Sequence, residues 1–264
     1  MLGTKPFLGP MEVMAYAAAC TERLRLGCAV FVTPLHSPLH LAKSLSTLDQ
    51  LSRGRLEIGV GLGGRRAFPA FGISPEGLTA RFVEALRVMK LLWTEPAATF
   101  HGRFWQFDGA AMEPKPFQRP HPPVWLGGSH PTAVQRAVRH GSGFFGAGSQ
   151  TTARFAEQVR VLRQALAESA PPATGFRIAK RVYLAIDDDA ARARRRIGAA
   201  LTDLYGYFGL QDLEGVAVFG PPAACVAGLR EVANAGAEMI LLNPMFDEAE
   251  QMERLAAEVI PRLT

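Results

Sequence analysis

The chain of 264 residues sets 29 Lys and Arg against 24 Asp and Glu, a net charge of +5, with 48% hydrophobic and 20% charged residues. These proportions belong to a globular domain and exclude disordered, collagen-like and coiled-coil classes. Cys20, Cys28 and Cys225 are too few and too scattered for a disulfide framework or a paired-cysteine metal knuckle, and no apolar run approaches the roughly 20 residues of a spanning helix.

In chain order, the Ala-rich stretch Pro10 to Thr21 predicts a helix, and Leu24 to Thr33 predicts a buried strand stopped by Pro34. A second helix opens near Pro38 with Leu41, Leu45 and Leu48 on one face and ends near Ser52. Leu56 to Gly61 is the second strand. Glu76 to Thr94 places Phe82, Leu86, Met89 and Trp93 on one helical face. Residues 98 to 123 carry Phe104, Trp105 and Phe107 and then five prolines, which predicts a short hairpin and an extended connector.

Val124 to Leu126 and Gly143 to Gly146 predict short strands around a helix from Thr132 to His140. A helix through Phe155, Val159, Leu162 and Leu166, a loop at Pro171 to Gly175 and a strand from Ile178 to Ile186 follow. Asp187, Asp188 and Asp189 mark a helix start. The dense basic run Arg192, Arg194, Arg195 and Arg196 then reads as a solvated helix face, and no nucleic-acid partner is expected. A helix from Pro222 stops at Gly236, Met239 to Leu242 is the sixth strand, and Met252, Leu255, Val259 and Leu263 mark a last helix. Six strands each followed by a helix suit an α/β fold, either an open doubly wound sheet or most of an eight-stranded barrel, in one domain over residues 1 to 264.

Two glycine-rich turns are candidate sites. Gly59, Gly61 and Gly64 satisfy the dinucleotide-binding spacing, but Arg65 to Pro69 intervenes before a helix begins. An NAD-dependent dehydrogenase therefore predicts a helix opening directly at Gly64. The alternative use of these glycines is to let a flat ligand or a phosphate approach the end of a strand. Gly127, Gly128 and Ser129 precede Pro131, so the turn is either a phosphate site at a helix N-terminus capped by Ser129 or a plain connection. His36 and His40 stand four apart without a third ligand, so no metal is expected, and His101, His121, His130 and His140 read as surface or capping residues.

Several longer strings carry a resemblance. They are Glu22 to Gly27, Val30 to Pro34, Leu41 to Ser52, Gly54 to Gly61, Pro114 to Pro116, Pro122 to Gly128, Phe219 to Pro221 and Ala235 to Ala237. With them the chain resembles the bacterial luciferase-like monooxygenases, flavin- or deazaflavin-dependent oxidoreductases on a (β/α)8 TIM barrel.

The resemblance implies a bulge and an unusual peptide at Val30 and Phe31 backing a flavin ring, with Gly61 and Gly63 lining the ring or its ribityl chain. It also implies a phosphate held by Gly127, Gly128 and Ser129. The cofactor would be FMN or coenzyme F420, the substrate a small organic molecule met by loops Gly63 to Ser74 and His101 to Pro120, and the protein a cytoplasmic homo-oligomer, most simply a dimer. Family members place a strand, a helix and a strand ahead of the segment matching Pro10, so the barrel is expected to be incomplete, with its first two strands missing. The family's acid and base often lie there, and no catalytic residue is assigned. A degenerate barrel that binds ligand or oligomerises without catalysis is the alternative.

Overall fold

The computed structural model describes residues 8–169, 175–206 and 213–263, and the loop expected at Pro171–Gly175 lies, but for Gly175, outside them. The residues pack as two units, Met1–Gly127 with His140–Ser142, and Gly128–Arg139 with Gly143–Thr264.

In the first unit, α1 (Pro10–Cys20) leads to β1 (Leu26–Val32), α2 (Pro38–Leu51), β2 (Leu56–Gly61) and α3 (Leu78–Thr94). A two-stranded antiparallel hairpin, β3 (Ala98–His101) and β4 (Gln106–Ala110), and the Pro-rich connector then reach β5 (Val124–Gly127). Strand β2 lies between β1 and β5, parallel to both, and Leu56, Ile58 and Val60 are fully buried, as expected for a parallel strand covered on both faces.

The polar face of α2 is spent on the connector. Lys43 Nζ donates to the Glu113 carbonyl, Ser46 Oγ to Pro114 O at 2.5 Å and Gln50 Nε2 to Lys115 O at 2.8 Å. Asp49, fully buried, accepts from both the backbone N–H and the side-chain amide of Gln118, each at 2.8 Å. Arg55 acts similarly toward α1, donating to Ala18 O, Thr21 Oγ1, Leu24 O and Ser52 O at 2.7–2.9 Å, where helix-end carbonyls otherwise lack partners. Glu84 on α3 accepts the backbone N–H groups of Arg103, Phe104 and Trp105 and so shapes the hairpin turn. The hairpin aromatics are covered by cations, with Arg81 over Trp105 at 4.7 Å and Arg87 over Phe100 at 5.5 Å.

The second unit contains α4 (Pro131–His140, its last residue grouped with the first unit), β6 (Gly143–Gly146), α5 (Thr152–Ala167), β7 (Arg177–Ile186), α6 (Ala190–Tyr205), β8 (Ala217–Gly220), α7 (Pro222–Asn234), β9 (Met239–Pro244) and α8 (Glu248–Arg254). Strands β6, β8 and β9 all run parallel to β7. Ala179 is paired with Phe145 and with Met239, so β6 and β9 flank it on opposite edges. Among the described residues seven strands are parallel, not six. The addition, β8, is only four residues long and ends in Gly220-Pro221, which sequence periodicity cannot separate from a loop.

Val182, Leu184 and Ile186 pack against Cys225, Leu229 and Val232 of α7 and against Leu255 and Val259, while Tyr183 and Ala185 pack against Ile197 and Leu201 of α6. Buried Gln251 copies a strand neighbour, donating to Ile186 O at 2.9 Å and accepting from Ile186 N at 2.7 Å.

The acidic triplet starts α6 as expected. Asp189 accepts from the N–H groups of Ala191 and Arg192. Asp187 holds the Arg192 guanidinium through two bonds of 2.7 Å, and Arg196 pairs with Asp247 at 2.6 Å with its charge 3.9 Å from the Phe246 ring centre. The basic run is thus partly committed to ion pairs. The Arg192 guanidinium foremost, then the Asp189 N–H and the Arg196 charge, outweigh burial and hold the Asp187 carboxyl from 3.8 down to about 2.

A carboxyl lowered on folding stabilises the native state above its unfolded value, and that contribution disappears as pH falls through the folded one. Acid titration followed by circular dichroism is expected to show Asp187→Asn losing less stability than the parent between about pH 4 and pH 2. Parallel acid curves would contradict this. No helix among the described residues is long and apolar enough to cross a membrane.

Candidate functional site

The end of β1 is irregular. Cys28 pairs with Ile58 and Phe31 with Val60, so three steps along β1 match two along β2 and one residue is extra. The Ala29–Val30 peptide within this bulge is cis. The bulge and the unusual peptide implied by the resemblance are therefore both present at this point.

The neighbouring glycines have a packing explanation. A Cβ on Gly59 would run into the Cys28 carbonyl, one on Gly61 would stand 2.6 Å from Val30 Cγ2, and one on Gly63, at φ +70°, would stand 2.5 Å from Val32 Cγ1. Missing side chains on β2 thus admit the backbone and side chains of a bulged β1. Phe31 turns inward at 3% exposure, with the His36 ring edge-on to it at 6.4 Å. Burial, with the His40 charge adding, lowers the His36 pKa, which favours the neutral ring.

After Gly63 the chain forms a 3-10 segment, Arg65–Phe71, closed by Gly72 at φ +66°, and α3 starts only at Leu78. No α-helix opens at Gly64. The dinucleotide-binding reading of Gly59, Gly61 and Gly64, and with it the NAD-dependent dehydrogenase, is overturned: the phosphate of such a cofactor needs the N–H groups of a helix beginning at that turn.

In the second unit, Gly128 sits at φ +153°, and a Cβ there would stand 2.6 Å from that of Ala133. Ser129 is not the cap of α4. Thr132 N–H donates to His130 Nδ1 at 3.2 Å and Ala133 N–H to His130 O at 2.8 Å, so His130, directly before Pro131, takes the capping position and Ser129 lies one residue outside it.

The carbonyls of Gly128 and Ser129 both receive Gln158 Nε2 at 3.1 Å, and Ser129 O also faces Gln150 Nε2 at 3.5 Å. In a trans peptide the C=O and the N–H point opposite ways. With these carbonyls turned toward α5, the N–H groups of Ser129 and His130 are turned away from it as a pair of donors. Gln150 Oε1 and Gln158 Oε1 are buried without a hydrogen-bond partner.

Behind this turn lies Lys180, 1% exposed, which sequence reading missed because one lysine in a strand reads as an outward residue. Its ammonium donates to Ala147 O at 2.8 Å, Gln150 O at 2.9 Å and Arg181 O at 3.2 Å, with the Phe155 ring centre 5.8 Å away. Burial first, then the Arg181 charge, brings its pKa down to about 8. Nearby, Tyr183 Oη and Tyr205 Oη share a hydrogen bond of 2.6 Å, and burial leads in raising the Tyr205 pKa.

Comparison with known proteins gives the family. Residues 2–215 match the luciferase-like monooxygenase family. The chain belongs to that family. It is 36% identical over 131 residues, 48% of its own length and 36% of the other's, to an FMNH2-dependent dimethylsulfone monooxygenase of Pseudomonas putida. Over 275 aligned residues, 95% of this chain and 81% of the other, it is 26% identical to an F420-dependent glucose-6-phosphate dehydrogenase of Kineococcus radiotolerans.

The crystal structure of the monooxygenase RslO1 from Streptomyces bottropensis superposes with a TM-score of 0.81 at 27% identity, covering 97% of this chain and 83% of that one. Other curated relatives, 33–40% identical, are longer, and the matched stretch covers about two fifths of their length, 39% and 43% in two cases. The fold is the α/β barrel type of this luciferase-like family, and its seven parallel strands among the described residues fall short of a ring of eight.

Proposed function

We propose that this luciferase-like protein is a flavin-type oxidoreductase that binds FMN or coenzyme F420 and acts on a small organic molecule. The Gly128–Ser129 turn carries the reading. Its two N–H groups, turned away from α5 by the bonds that Gln158 Nε2 makes to the carbonyls of Gly128 and Ser129, suit a phosphate. A Cβ at Gly128 would close the turn. The turn thus fits a phosphate, and Gly127, Gly128 and Ser129 are assigned to hold it.

In the first unit, Val30 and Phe31 at the bulge, with Gly61 and Gly63, are assigned to face the ring. Bound, the flavin supplies the hydride or electron-pair chemistry. The chain's own part is to back the ring with the bulged segment of β1, which the glycines of the neighbouring strand admit, and to place neutral donors at the phosphate. Further parts of the same reading are a cytoplasmic location and a homodimer, which light scattering on the purified protein measures.

Titration with FMN and with F420, followed by absorbance and fluorescence, is expected to give micromolar or tighter binding of one of them, and turnover either of the reduced cofactor with oxygen or of the oxidised cofactor with an oxidisable alcohol. Binding of neither defeats the proposal. Binding without turnover across a panel of sulfones, alcohols and ketones favours the non-catalytic alternative instead.

A further inference from the structure

The buried amine of Lys180 has no part in the reading above, and its surroundings are unusual. All three of its acceptors are backbone carbonyls, so the charge is solvated by chain rather than paired with a carboxylate. An ammonium carries three N–H groups, and three carbonyls use all of them. Burying a charge in this way is costly unless each bond is made, and the strand end accommodates it. Gly146 leaves open the space where a Cβ would stand 2.6 Å from the Phe155 ring and 3.2 Å from Lys180 Cδ.

Two of the acceptors, Ala147 and Gln150, bound the loop from β6 to α5. That loop ends at Thr151, whose side chain caps α5 by accepting the Arg154 N–H. Two side chains reach the carbonyls of Gly128 and Ser129 from this region: Gln150 at the loop's end and Gln158 two turns into the helix it starts.

We propose that Lys180 is a positioning residue for the anion-binding turn: by gathering the carbonyls of Ala147, Gln150 and Arg181 it fixes the loop and the start of α5, through which Gln150 and Gln158 hold the peptides of Gly128 and Ser129 with their N–H groups toward a phosphate. The proposal rests on the reading of that turn as the phosphate anchor. Lys180 touches no ligand and acts only through the loop. Its loss should therefore blunt the distinction between ligands with and without phosphate, rather than remove flavin binding altogether.

The test compares FMN with riboflavin, and F420 with its phosphate-free deazaflavin core, in the parent chain, Lys180→Met and Gln150→Ala, with thermal denaturation alongside. In Lys180→Met the preference for the phosphate-bearing member is expected to fall about tenfold while affinity for the phosphate-free member changes less than about twofold. A purely structural role would weaken both members equally, and that result, or an unchanged preference, overturns the proposal. Should Lys180→Met fail to fold, Gln150→Ala decides: an expected loss of about threefold in preference supports the proposal, and none overturns it. A parent chain without preference for phosphate refutes the anchor itself, whereas a preference kept in both variants refutes only the role of Lys180.

Discussion

Gly128→Glu is expected to lower FMN or F420 affinity by at least about a hundredfold, a change of roughly 2.7 kcal/mol, while the protein still folds. Two effects act together. Any Cβ at this position meets Ala133 Cβ at 2.6 Å from a φ of +153°, which disturbs the turn, and the carboxylate then brings a negative charge to where the phosphate is assigned. Gly128→Ala separates them, since it carries the collision without the charge and should fall between parent and Gly128→Glu. Equilibrium dialysis or fluorescence titration measures both, with a thermal melt confirming the fold. Parent-like affinity in Gly128→Glu would mean that the phosphate binds elsewhere.

Asp49→Ala is expected to cost about 3 kcal/mol of stability, read from urea denaturation, with the slope of the transition unchanged. The carboxylate is fully buried and accepts two bonds from Gln118, whose side-chain amide also donates to Leu56 O at 2.9 Å. Removing it leaves a backbone donor and a side-chain donor without their acceptor and loosens the connector from α2 near the start of β2. Asp49→Asn keeps one acceptor and should lose about half as much. A cost under about 0.5 kcal/mol for Asp49→Ala would show that the connector is held by other contacts.

Much of the fold could be read in advance because its signals are local. The apolar spacings of Leu41, Leu45 and Leu48 and of Phe82, Leu86, Met89 and Trp93 produce α2 and α3 as expected, with Leu41, Leu45, Phe82 and Met89 all buried. Strand β8 was hidden because four residues give too short a pattern. The glycines at 59, 61 and 63 were noticed, but their cause was not visible: close approach to a ligand and close approach to a bulged neighbour leave the same mark in a sequence, and only the register of β1 against β2 distinguishes them. Residue type alone points to Ser129 as the cap, whereas the ring nitrogen of His130 does the work one position later. Lys180 was invisible because its partners, Ala147 and Gln150, are 33 and 30 residues away and contribute backbone oxygen, which no residue type advertises.

The string Leu41 to Ser52, among the most recognisable in the chain, meets the connector through Lys43, Ser46, Asp49 and Gln50. Its upkeep is therefore a matter of architecture. A descendant that had lost every reacting group could retain these letters unaltered, so kinship inferred from them certifies ancestry and scaffold.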